Sequence, residues 1–220
     1  MLRGEHALDS LERLNRLVAN LLDKSRLQAG ALGINTQPLA VEEVVPRVLA
    51  DLGEQAHRID VRLPGSLPDV VADPALLERI LANLAANAVR YSPPGKQALL
   101  TASSHNDRVE LRVADRGPGI PPTDRDRVFE AFQRLGDRDD HTGAGLGLAL
   151  ARGLSEAMNG TLVPEETPGG GLTMILTLPA AVPPAIPEAA GAVTEDQTTH
   201  SVISDRIDAV RAASRRGEAP

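Results

Sequence analysis

The stretch D-P-A-L-L-E-R-I-L-A-N-L-A-A-N-A-V-R-Y-S-P-P, Asp73 to Pro94, decides how the rest of the chain is read. It opens with Asp73 placed to cap a helix and Pro74 at the first helical position, where a missing N–H costs nothing. Leu76, Leu77, Ile80, Leu81 and Leu84 recur at helical spacing and define a core stripe. Asn83 and Asn87 stand one turn apart on a neighbouring face. Asparagine disfavours helix interiors and needs hydrogen-bond partners where it is buried. Taken alone, the pair reads as well as two solvated amides as it does as part of a polar site.

The surrounding composition narrows the function classes. A chain of 220 residues suffices for one good core with length left for appendages. No run approaches the ~18 apolar residues of a membrane span, and no secretory signal pattern opens the sequence. Cysteine is absent, which excludes disulfides and thiolate metal sites and fits a reducing cytoplasm, the expected location. A formal charge of −7 argues against general binding to nucleic acid or anionic lipid. The aromatic residues are Tyr91, Phe129 and Phe132 alone, so the core must be built from Leu, Val, Ile and Ala.

Upstream of Asp73, residues 5–29 read as one long helix ended by Gly30, with Ala7, Leu11, Leu14, Val18 and Leu21 forming a seam for a partner. That seam would dock on its own domain or on a second helix of a dimer or bundle. Ile34 to Pro38 reads as a strand, and Val41 to Leu52 as a helix whose early turns Pro46 distorts. His57 to Leu63 alternates like a strand, and Asp69 to Ala72 is a short extended lead into the Asn helix. Downstream, Gln97 to Ser103 and Arg108 to Ala114 form a hairpin around His105-Asn106-Asp107. In its second strand Val109, Leu111 and Val113 alternate with Arg108, Glu110 and Arg112, giving one buried and one wet face.

Asp115 continues the buried face, and an acid there is costly unless something hydrogen-bonds it. The glycines of the following R-G-P-G-I, Gly117 and Gly119, allow backbone to approach a ligand closely. Pro121 to Arg134 reads as a helix carrying both phenylalanines, and Leu135 to Thr142 as a polar loop. G-A-G-L-G-L-A-L-A, Gly143 to Ala151, opens a helix ending at Asn159-Gly160, and glycines at a helix N-terminus expose donors suited to an anion. The spacing fits neither the dinucleotide fingerprint nor a P-loop. Thr161 to Val163 and Leu172 to Leu178 close the domain as strands around Pro168-Gly-Gly-Gly171. Beyond about Pro179 a Pro/Ala-rich linker leads into a polar tail expected to be disordered.

Three signals stand in order: N-x-x-x-N-A-x-R-Y, D-x-G-x-G and G-x-G-L-G-L. Together they resemble the ATP-binding catalytic domain of sensor histidine kinases, of the superfamily (GHKL, Bergerat-type fold) that also holds gyrase, the heat-shock chaperone of the 90 class and mismatch-repair ATPases. R-L-V-A-N-L-L-D-K-S-R-L-Q-A-G, Arg16 to Gly30, is further similar to the potassium-sensing KdpD type. The resemblance implies an α/β two-layer sandwich, a mixed sheet packed on helices, over residues 31–180. Residues 1–30 would be the second helix of a dimerisation hairpin, and 181–220 linker and tail.

The resemblance also implies roles. Asp115 would accept from the adenine amino group, and Tyr91 would pack near the base. Asn87, with Asn83, would present amide oxygens to Mg²⁺. Arg90 would sit near the phosphates, and the backbone of Gly143, Gly145 and Gly147 would reach the triphosphate under a lid of residues 135–142. Gly117, Gly119, Ile120, Phe132, Thr142, Ala144, Leu146, Leu148 and Thr173 would complete the ATP contacts. The superfamily's ATPases carry a water-activating Glu where this chain has Asn83, which favours phosphoryl transfer over hydrolysis.

The departure lies at the front. No histidine stands in an H-E-[LM]-R-T-P setting; His6, His57, His105, His141 and His200 all read as surface histidines. The expectation is therefore a kinase domain with half its dimerisation hairpin missing, acting only on a histidine supplied in trans, with a response regulator as further partner. Two alternatives remain: a non-catalytic ATP-binding regulatory or dimerisation fragment, and a Ser/Thr kinase of the anti-sigma type.

Overall fold

A computed structural model of the chain describes residues 22, 25–27, 29, 32–130 and 146–181. The polar loop at 135–142, the tail and most of the helix expected over 5–29 lie outside the described residues. Leu22 and residues 25–27 are helical, and Ala29 N–H donates to the Ser25 carbonyl at 3.0 Å. No described helix is long and apolar enough to cross a membrane.

A short strand β1 (Gln37–Leu39) leads into helix α1 (Val41–Asp51). Val41, Val44, Val45, Val48 and Leu49 of α1 are buried, one stripe at helical spacing. Pro46 is accommodated without a break, although it withdraws one donor from the ladder. A 3-10 segment (Gly53–Arg58) precedes strand β2 (Ile59–Arg62), so the strand expected from His57 begins two residues later. The first strand is likewise displaced towards Leu39 from its expected start at Ile34.

After β3 (Val70–Ala72), Asp73 caps helix α2 (Pro74–Tyr91). Its Oδ1 accepts from the Ala75 and Leu76 N–H groups at 3.0 and 3.2 Å, and its Oδ2 from Asn35 N–H at 2.9 Å. Leu77, Ile80, Leu81, Leu84 and Ala88 bury the apolar stripe. Ser92 ends the helix with extended backbone (ψ 131°), as the residue before a proline must.

Strands β4 (Ala98–His105) and β5 (Arg108–Ala114) form the expected hairpin, with Asn106 in the left-handed region at φ 54°. Helix α3 (Gly147–Ala157) follows, then β6 (Thr161–Glu166) and β7 (Leu172–Pro179). The five-stranded sheet runs β2-β4-β5-β7-β6, parallel between β2 and β4 and antiparallel elsewhere, while β1 and β3 form a separate antiparallel ribbon. This is the expected two-layer arrangement of a mixed sheet under helices. Register places Val109, Leu111 and Val113 opposite Leu178, Leu176 and Met174, and these six meet α2 and α3 in one core. On the reverse face Arg112 pairs with Glu110 at 2.7 Å and Glu165 at 3.8 Å; Arg112 and Glu110 are polar and half-buried, beside the buried Ile175 opposite Arg112.

One expectation fails. The stretch from Pro121 is not an α-helix up to Glu130; it makes two short 3-10 turns, Pro122–Asp124 and Arg127–Phe129. Tertiary packing decides this: Val128 is buried, and Phe129, half-buried against the core, lies beneath the Arg152 guanidinium of α3 at 4.7 Å. Leu27 reaches α3 as well, where a Cβ on Gly153 would meet its side chain. The preceding helix therefore contacts its own domain.

Asp73→Ala removes three backbone hydrogen bonds at the entry to α2. It is expected to lower stability by about 1–2 kcal/mol, read as a reduced urea midpoint with an unchanged denaturant slope.

Candidate functional site

The site is built where three chain segments meet: the end of α2, the turn after β5, and the β6–β7 turn. Asp115 stands at its centre and is 6% exposed. Its own N–H donates to the Leu172 carbonyl at 2.9 Å, extending the β5–β7 ladder by one bond. Its Oδ1 accepts from Gly117 N–H at 2.8 Å and Leu172 N–H at 3.0 Å. Burial raises its pKa above the ordinary carboxylate value, and the two backbone donors partly oppose that rise. Asp115 Oδ2 accepts no hydrogen bond from a described residue, so a nearly buried carboxylate keeps one oxygen for an incoming donor.

Glycines make this packing possible. Gly171 has φ 119°, and a Cβ there would fall on the Asp115 carbonyl. A Cβ on Gly117 would stand 2.6 Å from the Tyr91 carbonyl oxygen. The freedom read in D-x-G-x-G as room for a ligand is thus used, at Gly117, to bring the end of α2 against the carboxylate turn. Gly119 meets Gly171 in the same way, and Ile120 packs on the core edge. Thr173 is buried, and its hydroxyl shares a 2.9 Å hydrogen bond with Thr167, which steadies the hairpin beside Asp115.

Along α2, Asn83 and Asn87 are both half-buried. Asn83 Oδ1 would stand 3.0 Å from a Cβ on Gly147, so the first Asn sits beside the N-terminus of α3. Leu146, at the N-cap, makes no side-chain cap bond, and among the described residues no side chain caps the first N–H groups of α3. Leu146 is buried and Leu148 packs against the core, anchoring the start of α3. Tyr91 is 41% exposed, with the exposed Arg90 guanidinium 5.6 Å from its ring centroid. Phe132, Thr142, Gly143, Ala144 and Gly145 lie outside the described residues.

The structure thus joins Asn83 to Gly147, and Tyr91 to Gly117 and Asp115. Sequence reasoning missed Gly171, Leu172, Thr167 and Ser92. The first belongs to Gly169-Gly170-Gly171, three successive residues at positive φ. A run of glycine inside a hairpin was the available signal, read only as a turn. Leu172 acts through its backbone and leaves no mark in the sequence.

Residues 72–182 match the family described as histidine kinase-, DNA gyrase B- and HSP90-like ATPase. The sensor protein KdpD of Rathayibacter rathayi is 51% identical over 168 residues, which cover 76% of this chain and 20% of that protein. The chain thus spans about a fifth of that relative's length. Full-length ShkA, solved in complex with AMPPNP, superposes with a TM-score of 0.67 at 36% identity, over 80% of this chain and 38% of that one. The ATP-binding domain of PrrB from Mycobacterium tuberculosis gives 0.53 at 30% identity, over 67% and 98%.

Asp115→Asn keeps an oxygen to accept from Gly117 and Leu172, so the fold should survive. A raised folded-state pKa means that wild type gains stability on protonation, as pH falls through that raised value, the gain being complete below 3.8. Urea melts across the acid range should show this gain in wild type and its absence in Asp115→Asn.

Proposed function

Because the chain belongs to the histidine kinase-, DNA gyrase B- and HSP90-like ATPase family, we propose that its ATP-binding domain binds ATP·Mg²⁺ and passes the γ-phosphoryl group to a protein histidine. The observation that carries the nucleotide assignment is Asp115 itself, a nearly buried carboxylate whose Oδ1 is held by two backbone donors while its Oδ2 accepts from no described residue. Adenine offers an amino donor where guanine offers an acceptor oxygen, so a fixed carboxylate accepts the first and repels the second. Tyr91 and Ile120 would flank the base, with Thr173 opposite Ala114 in the neighbouring strand.

The donor set fits Mg²⁺. Amide oxygens of Asn87 and Asn83 are hard ligands, and no group of three or more His, Asp or Glu among the described residues offers a carboxylate cage. Mg²⁺ would neutralise charge on the phosphate oxygens. The first amides of α3, from Gly147 on, would point at those oxygens, and Gly143 to Gly145 would continue the cradle. Arg90 would add positive charge at the same end. Asn83 cannot take a proton from water, so the site orients the triphosphate without preparing hydrolysis.

None of the five histidines sits in a phosphoacceptor motif. The acceptor would therefore stand on a dimerisation domain that presents its histidine to residues 31–180, with the helix before Gly30 as the adjoining contact. A response regulator would take the group onward, and such a domain would work in the cytoplasm. The KdpD-like relatives support this reading as a sensor-kinase module.

The test is transfer from γ-labelled ATP·Mg²⁺ to a separately supplied dimerisation domain carrying the motif histidine. Acid-labile label on that domain is expected, reduced at least 100-fold by Asn87→Ala and by Asp115→Ala, about 3 kcal/mol of lost stabilisation in each case. Tight ATP binding without any transfer would instead make the chain a nucleotide-binding regulator. Acid-stable label would make it a Ser/Thr kinase.

A further inference from the structure

Ser92 was not among the residues the motifs single out, yet it holds the site's base end together. It is only 4% exposed although it ends a helix beside two prolines. Its hydroxyl accepts from Arg116 N–H at 3.1 Å, in the turn between Asp115 and Gly117. Its carbonyl accepts from the Arg58 guanidinium at 2.8 Å, reaching in from the segment before β2. Its own N–H remains in the helix, donating to Ala88 at 3.1 Å. Arg116 then extends its side chain to the Pro168 carbonyl at 3.2 Å, at the head of the glycine turn that packs on Asp115.

These bonds run through one residue. Ser92 follows Tyr91 directly and stands five positions beyond Asn87 on the same helix. The Tyr91 carbonyl already abuts Gly117, so the α2 end and the Asp115 turn touch over two successive residues of each. A hydroxyl at this point fixes the turn laterally, where the bare carbonyl contact would let it slide. Arg58 holds the same peptide from the opposite side. The distance between the Asn face of α2 and Asp115 is therefore set here, away from both.

Resting on the ATP assignment above, we propose that Ser92 is a positioning residue that sets base selectivity, by holding the Asp115 turn at a fixed distance from the metal-binding face of α2. Arg58 is its external brace. A loosened turn lets Asp115 retreat from a guanine oxygen and weakens its grip on the adenine amino group. The ratio of ATP to GTP affinity then falls, while the phosphate end is untouched.

The test uses the whole chain, with calorimetric affinities for ATP·Mg²⁺, GTP·Mg²⁺ and inorganic tripolyphosphate·Mg²⁺ for wild type, Ser92→Ala, Ser92→Thr and Arg58→Ala. Ser92→Ala is expected to lower the ATP:GTP ratio about tenfold, the scale of one lost hydrogen bond, with tripolyphosphate affinity unchanged. Ser92→Thr, which keeps the hydroxyl, should restore most of the ratio, and Arg58→Ala should lower it by a smaller factor. Equal losses for all three ligands, or an unchanged ratio in Ser92→Ala, would overturn the positioning role. Arg58→Ala keeps the idea falsifiable if Ser92→Ala does not fold, since an unchanged ratio there overturns the brace and the role together. Wild type that binds no ATP would overturn the site assignment itself. ATP bound and lost in Asp115→Ala, beside an unaltered Ser92→Ala, would sink only the role of Ser92.

Discussion

One carboxylate oxygen organises this domain. Asp115 Oδ1 takes two backbone donors, from Gly117 two residues ahead and from Leu172 in the neighbouring strand. Burying an acid is unfavourable, and the two backbone donors offset part of that cost. The glycines at 117 and 171 follow from this demand, since a Cβ at the first would strike the Tyr91 carbonyl and one at the second the Asp115 carbonyl. The two backbone donors both fall on Oδ1, and Oδ2 accepts from no described residue.

The helix layer answers a second constraint. α2 must present an apolar stripe to the sheet and an amide edge to the site, and its periodicity separates the two. Leu77, Ile80, Leu81 and Leu84 face the core, while Asn83 and Asn87 emerge half-buried beside them. A Cβ on Gly147 would stand only 3.0 Å from Asn83 Oδ1, so the two residues are in tight contact. The first amides of α3, which no described side chain caps, are thereby placed next to an amide oxygen. A hard cation and its phosphates ask for this combination of oxygen ligands and backbone donors.

The pattern was most legible where neighbours in sequence supply the physics. The cap at Asp73, the buried alternation of Val109, Leu111 and Val113, and the burial of Asp115 follow from local chemistry, and each stands as read. The helix expected over Pro121 to Arg134 is absent in its described part, up to Glu130. Phe129 is held there by Arg152 from α3 instead, and the backbone makes separate 3-10 turns to reach it. Short apolar runs do not fix their own conformation when a distant partner supplies the contact.

The sequence by itself determined the order of the nucleotide motifs and the oxygen-rich character of the site, because residue chemistry acts over a few residues, and the layered class followed from the family those motifs resemble. Only the tertiary structure decided that Gly171, Leu172 and Ser92 belong to that site. Their bonds to the Asp115 turn cross 57 and 24 residues and use backbone N–H, carbonyl and hydroxyl groups. Every residue carries such backbone groups, so nothing in the order of side chains marks which of them will meet. The sheet register and the missing Cβ atoms make that choice.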